Sequence, residues 1–126
     1  MQNLQIEATD YTPTINFDSQ SGVLNIKGKS YPENTFEFYK PVSQWIQDYF
    51  TITTCEKTSI NLDVEYMNSS SLKAYFDMFD SFEEAHNKGK TVEIKWIYDE
   101  EDDISEETGE DFIEDFECLN IELIKK

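Results

Sequence analysis

The sequence predicts an α/β fold, a mixed β-sheet with helices packed mainly over one side, in the order β-β-α-β-α-β-α-β. Three observations carry this. Apolar residues alternate in short runs, most cleanly at Ile60, Leu62, Val64 and Tyr66, the period-two signature of a half-buried strand. Elsewhere they recur at three and four residues, as at Phe38, Val42, Trp45, Ile46 and Tyr49, the signature of a helix with one buried stripe. The two patterns alternate through the middle of the chain, and two successive β-α-β crossovers there imply parallel neighbours.

Taken in order, the first two strands turn on Gly22. Ile15 and Phe17 alternate in PTINFD, Leu24 and Ile26 in VLNIKG, and the polar Ser19, Gln20 and Ser21 separate them as a hairpin turn. GKSYPEN, from Gly28 to Asn34, reads as a polar loop in which Pro32 keeps Tyr31 out of helical geometry. TFEFYKPVSQWIQDYF carries the first helical stripe. Pro41 either opens that helix at its first turn or lies inside a longer helix from Thr35, and the spacing of Phe38 with Val42 favours the longer one. After the turn TTCEK, TSINLDVEYM is a strand with one strongly apolar face, and Asn61, Asp63 and Glu65 look away from it.

SSLKAYFDMFDSFEEAHNKGK reads as a helix of about five turns. Its stripe is Leu72, Tyr75, Phe76, Phe79, Phe82 and His86, and Gly89 is placed to end it. TVEIKWIYD alternates through Val92, Ile94 and Trp96 as the next strand. The acidic DEEDDIS leads into a shorter helix anchored by Phe112, Ile113 and Phe116 and capped by Ser105 or Thr108, and LNIELI closes the chain as a strand. With no internal repeat and no linker, one domain over residues 1–126 is expected.

Composition narrows the function. Nine Phe, seven Tyr and two Trp supply large core side chains, so the chain should fold without staples. Cys55 and Cys118 are too few for a disulfide scaffold and lack metal-ligand spacing, which points to inert thiols in a reducing compartment. No apolar run is long enough for a membrane span and the N-terminus has no signal-peptide pattern, so a cytoplasmic location is expected. The formal charge of −17 repels nucleic acid and anionic lipid. The acid is unevenly placed: Trp96 to Ile124 holds no Lys or Arg, while Asp99 to Glu117 carries twelve carboxylates. That stretch is either a solvated face or a docking surface for a basic partner.

Catalytic patterns are absent from the sequence. It contains no GxGxxG after a strand, no GxxxxGK[ST], no HExxH and no GxSxG. His86 is the single histidine, which leaves little for a His-based zinc site. Asp99, Asp102 and Asp103 are the place where calcium or magnesium would be sought, but an EF-hand would need a midway glycine and a helix on each side. No metal and no cofactor are expected.

One feature does carry chemistry: three consecutive serines, Ser69, Ser70 and Ser71, at the start of a helix. One of Asn68, Ser69 or Ser70 is needed as the cap. A phosphate on Ser69 would be favoured there by free backbone N–H groups and the helix dipole, with Lys73 in reach to neutralise part of its charge.

YMNSSSLKAYFDMFD after the alternating strand, SYPENTFEFY before the first helix, and EEAHNKGKTVEIKWIYDEED together resemble the SiaC family of bacterial regulatory phosphoproteins. The resemblance runs from TPTINFD to the closing strand. It implies a fold like the STAS domains of anti-sigma factor antagonists, and a non-enzymatic protein cycled by a Ser/Thr protein kinase and a PP2C-type phosphatase. In one branch of that family the unmodified form binds and activates a diguanylate cyclase, promoting cyclic-di-GMP production and biofilm formation, and phosphorylation ends this. The family's phosphoacceptor is a threonine directly after the asparagine in Y-L-N-T-S-S. The matching position here is Ser69, with Ser70 and Ser71 as secondary candidates. SYPEN (Ser30, Tyr31, Pro32, Glu33 and Asn34) is similar to a family motif and is expected near the phosphoacceptor end of the sheet, in a partner-binding face with Tyr66, Met67, Asn68 and Lys73. The rival readings are a constitutive acidic adaptor and a small metal-dependent carboxylate enzyme.

Overall fold

A computed structural model describes residues Met1–Lys126. Nine elements follow one another: β1 (Leu4–Ile6), β2 (Thr14–Asp18), β3 (Val23–Ser30), α1 (Thr35–Ile52), β4 (Lys57–Met67), α2 (Ser69–Asn87), β5 (Thr91–Tyr98), α3 (Asp103–Asp115) and β6 (Asn120–Lys125). The strands form one sheet in sequence order, with the first two pairings antiparallel and the last three parallel. A helix bridges each parallel pair. Crossovers of one hand, advancing in one direction across a sheet, place their helices on one face, and the STAS-like arrangement expected from the sequence results.

Burial records the one-sidedness. Along β4, Thr58, Ile60, Leu62 and Val64 are buried beneath the helices, while Ser59, Asn61 and Asp63 on the other face are half-buried. The open face is polar. Asn61 Nδ2 donates to Asn25 Oδ1 at 2.7 Å, and Lys57–Glu93 and Lys126–Asp63 pair at 3.2 and 2.8 Å. Between sheet and helices the core is largely aromatic: Phe79 lies 4.3 Å from Phe112 between ring centroids, and Phe112 lies 5.3 Å from Trp96.

Several elements differ from the sequence expectation. β1 is an added edge strand, so the order is β-β-β-α-β-α-β-α-β. Three residues are too few to show a period, and β1 is held by partners distant in sequence. Leu4 pairs with Phe17 and Ile6 with Ile15, and Trp45 Nε1 donates to Gln2 O at 2.8 Å. The Gly28–Asn34 stretch is not all loop, because β3 continues to Ser30 through a register shift at Gly28/Lys29. Gly28 sits at φ 124°, with Pro13 Cα 3.3 Å from where its Cβ would be.

The longer version of α1 is the one formed, with Pro41 inside it on the exposed face. Proline cannot donate to the Glu37 carbonyl, and exposure leaves that carbonyl to water. Tyr39 joins the buried stripe of α1, while Phe38 is only half-buried. In α2 the buried residues are Ser71, Tyr75, Met78, Phe79, Phe82 and Ala85. His86 continues the direction of Phe79 and Phe82 but lies in the last turn, where it is exposed and does not join them. Gly89 ends α2 as expected, at φ 95°, and Lys90 N donates back to Ala85 O at 3.0 Å.

α3 is capped by Asp102, whose carboxylate accepts from Ser105 N at 3.0 Å, rather than by Ser105 or Thr108. Ile113 faces outward at 37% exposure, and Ser105, Gly109 and Phe112 face the sheet. Gly109 makes that approach possible. A Cβ there would lie 2.6 Å from Leu123 Cδ2 and 2.7 Å from Trp96 Cδ1.

Candidate functional site

Because β3 and β4 are parallel, their carboxyl ends emerge at the same edge of the sheet, with Ser30 opposite Met67. The chain leaves β4 and enters α2 with one residue between. That residue, Asn68, is extended at φ −79° and ψ 175°, and its Oδ1 accepts from Ser71 N at 2.9 Å. Its own N–H donates to Ser30 O at 3.0 Å, which ties the helix start to β3. Asn68 is therefore the cap, and the three serines form the first turn of α2.

They do not share an environment. Ser69 and Ser70 are exposed, while Ser71 is fully buried and accepts from Ser30 Oγ at 2.7 Å. Ser30 also bonds the Tyr39 hydroxyl, which reaches the Tyr75 hydroxyl at 2.9 Å. Four buried hydroxyls from β3, α1 and α2 are thus linked under the exposed turn. Burial pushes the Tyr75 hydroxyl well above the usual tyrosine range, and pushes Tyr39 up in the same way against its bonds to Ser30 and Tyr75. The four linked hydroxyls therefore stay uncharged near neutral pH.

The remaining expected site residues divide between support and surface. Ser30 and Pro32 are buried, so neither side chain can meet a partner, and their assignment to a binding face is corrected to a role beneath it. Asn34 caps α1, accepting from Glu37 N at 3.1 Å, and Glu33 beside it is exposed. Tyr31 packs edge-on to Tyr66 at 5.6 Å and to Tyr11 at 5.4 Å. Tyr66 is exposed; Met67 and Asn68 are half-buried. Tyr31, Glu33, Asn34, Tyr66, Met67, Asn68 and the first turn of α2 therefore gather at one end of the sheet.

Two grooves flank that turn. On the α1 side a depression of about 570 Å³ holds Ser70, Lys73, Lys40 and Phe36. On the α3 side a narrower one of about 260 Å³ holds Ser69, Leu72, Tyr66 and Ile104. Lys73 thus shares a groove with Ser70, not with Ser69 as the sequence reading supposed. Tyr11, Phe36, Lys40 and Ile104 were missed in the sequence. The signal available for Phe36 and Ile104 was an apolar residue off the buried stripe of its own helix.

No three His, Cys, Asp or Glu side chains converge as a metal-ligand group. Asp99, Asp102 and Asp103 are separated by their local roles: Asp99 Oδ1 accepts from Glu101 N, Asp102 is the cap, and Asp103 lies in α3. No helix is long and apolar enough to cross a membrane.

A model of the SiaC family regulatory phosphoproteins matches residues 6–126. The chain belongs to the SiaC family. The structure of SiaC of Pseudomonas aeruginosa aligns with a TM-score of 0.92 at 34% identity, covering 100% of both chains. A second solved structure, of the diguanylate cyclase SiaD in complex with its activator SiaC from the same species, aligns at 0.91 and 34%, covering 98% of this chain and 99% of the other. An uncharacterized protein of P. aeruginosa strain UCBPP-PA14 is 38% identical over 115 residues, 91% of this chain and 90% of its own length. The role that fits this membership is regulatory and non-enzymatic. The geometry agrees with that role in one respect: the first turn of α2 offers the accessible hydroxyls of Ser69 and Ser70 above a buried, hydrogen-bonded base.

Proposed function

We propose that this SiaC-family chain is a cytoplasmic partner-switching regulator, controlled by reversible phosphorylation of Ser69, whose unmodified form binds and activates a diguanylate cyclase. A Ser/Thr protein kinase adds the phosphate and a PP2C-type phosphatase removes it. The observation that carries this reading is the contrast within the triple serine. Ser69 is exposed at the first helical position and borders the apolar α3-side groove, whereas Ser71 is sealed in the hydroxyl chain. Ser70, the secondary candidate, is exposed too but faces the groove of Lys40 and Lys73. The partner class is carried over from the relative that is an activator of the cyclase SiaD.

Phosphorylation adds about −1.5 to −2 charges and three acceptor oxygens. At Ser69 the backbone N–H groups of the first turn favour that charge, so the fold tolerates it. Leu72, Met67 and Ile104 beside it form an apolar wall, against which a partner would have to desolvate a dianion. The domain keeps its shape and the partner loses its seat.

Phosphosite mapping on protein from cells with and without the phosphatase gene, joined to titration of the cyclase, tests this. Phosphate is expected to accumulate on Ser69 when the phosphatase is missing. Ser69→Ala should keep cyclase affinity and Ser69→Glu should lower it about tenfold or more. Equal binding by the two variants, or phosphate confined to Ser70, would overturn the assignment.

A further inference from the structure

The phosphorylation reading uses only the apolar wall of the groove between α2 and α3 and leaves the acidic depression beside it without a role. Its rim carries Ile104 at 77% exposure and Tyr66 at 55%, facing Leu72 and Met67. Ile104 has no part in the core, since α3 buries Ser105, Gly109 and Phe112. Its exposure completes an apolar patch in one of the most acidic stretches of the chain. Past Glu65 and Asp102, which line both, the groove opens into a second depression of about 410 Å³ that holds Asp63, Asp99 and Glu101. Lys126 is the only cation lining it, and its ammonium is engaged by Asp63 at 2.8 Å. Glu65, Asp99, Glu101 and Asp102 are paired with no Lys at all.

We propose that this groove docks a basic peptide segment of a partner protein, seating one apolar side chain between Leu72, Tyr66 and Ile104 and laying an Arg or Lys into the adjoining acidic depression. Charge complementarity selects the occupant. An acidic segment would bring like charge against five carboxylates, Asp63, Glu65, Asp99, Glu101 and Asp102, that share the single ammonium of Lys126, and a purely apolar one would leave the depression unused. The apolar patch supplies the anchor and the carboxylates supply steering and orientation. The proposal rests on the reading of this end of the sheet as the partner face and adds the chemistry of the segment that lands there. It also sharpens how phosphate acts. A phosphate on Ser69 does not repel a basic segment by charge; it excludes the apolar anchor by bulk and by the cost of desolvating the dianion.

The test is fluorescence anisotropy on the full chain with two short labelled peptides, one with a central Leu flanked by Arg and one with Glu in place of each Arg. The basic peptide is expected to bind and the acidic one not. Ile104→Ser should weaken binding about tenfold, as loss of an anchor does. The triple variant Glu65→Gln, Asp99→Asn, Glu101→Gln should weaken it as much at low salt, with the difference shrinking as salt rises. Glu114→Gln with Asp115→Asn, at the far end of α3, serves as the control for attraction by net charge and should change little. All the substituted side chains are exposed, so circular dichroism should match the unsubstituted protein. The proposal is overturned if the basic peptide does not bind, if Ile104→Ser binds it equally, or if the control pair weakens it as much as the triple variant. A failed phosphosite leaves this binding unchanged, and failed peptide binding leaves the phosphosite unchanged, so the two readings fail separately.

Discussion

Replacing Ser30 by alanine should destabilise this protein more than replacing either residue at an end of the buried hydroxyl chain. Ser30, Tyr39, Ser71 and Tyr75 are exposed by 0, 3, 0 and 0%, so no bulk water can stand in for a lost partner. Ser30 Oγ bonds both Tyr39 and Ser71, whereas the Tyr75 hydroxyl is bonded by Tyr39 alone. Ser30→Ala removes two bonds, each with a net value of about 1 kcal/mol, and leaves the Ser71 hydroxyl without its partner at a cost of about 1–3 kcal/mol. Because these terms overlap, a loss of about 2–4 kcal/mol is expected. Tyr75→Phe removes one terminal bond while Tyr39 keeps Ser30, for about 1 kcal/mol. Urea denaturation followed by tryptophan fluorescence measures both. With a slope of about 2 kcal/mol per molar, Ser30→Ala should lower the midpoint by about 1–2 M and Tyr75→Phe by about 0.5 M. Amide exchange at Ser71 and Leu72 should quicken in Ser30→Ala, because the chain anchors the first turn of α2. A Ser30→Ala midpoint within measurement error of wild type, or above that of Tyr75→Phe, would refute the hub argument.

Two further outcomes follow from packing and from titration. Gly109→Ala should gain about 1 kcal/mol of helix propensity but cost about 1–3 kcal/mol in overpacking, since its Cβ would press on the rigid Trp96 ring at 2.7 Å. The expected net result is a lower melting temperature in a thermal scan, and a higher one would show that α3 shifts freely. At alkaline pH, burial raises the Tyr39 and Tyr75 pKa values above 10.0, so in the folded state both keep their protons where the unfolded chain releases them. Their contribution is complete below about pH 10 and is lost as pH rises further, so the denaturation midpoint should fall above that point. The double variant Tyr39→Phe, Tyr75→Phe should show a shallower fall, and an unchanged slope would remove these two residues from the account.

The site was partly legible in the sequence for reasons that can be stated residue by residue. Asn68 followed by serines is a local capping signal, and it placed Ser69 at a helix start. The interval from the asparagine and the flanking motifs carried the family resemblance. The position of Ser30 was misread, because strand and loop look alike in GKSYPEN and β3 continues only through a shift of register against β4. The pairing of Lys73 with Ser70 instead of Ser69 turns on which side of α2 faces α1, and sequence neighbours do not record that. Likewise, Asp102 displaced Ser105 and Thr108 as the α3 cap because the helix begins at Asp103, three residues earlier than a Ser105 cap would set it.

What the sequence determined by itself is what neighbouring residues settle among themselves: alternation for β4 and β5, stripes for α1 and α2, Gly89 for a helix end, and a charge balance hostile to phosphate polymers. What only the tertiary structure decided is which of the three serines is buried and which two are exposed. Ser69, Ser70 and Ser71 share composition and local propensity, and they differ because successive residues on a helix point about 100° apart. One of those directions meets Ser30 across a parallel crossover, 41 residues away in the chain, and that hydroxyl is consumed in the core. The other two meet solvent and two grooves of different chemistry, a distinction created by the packing of α1 and α3 on either side.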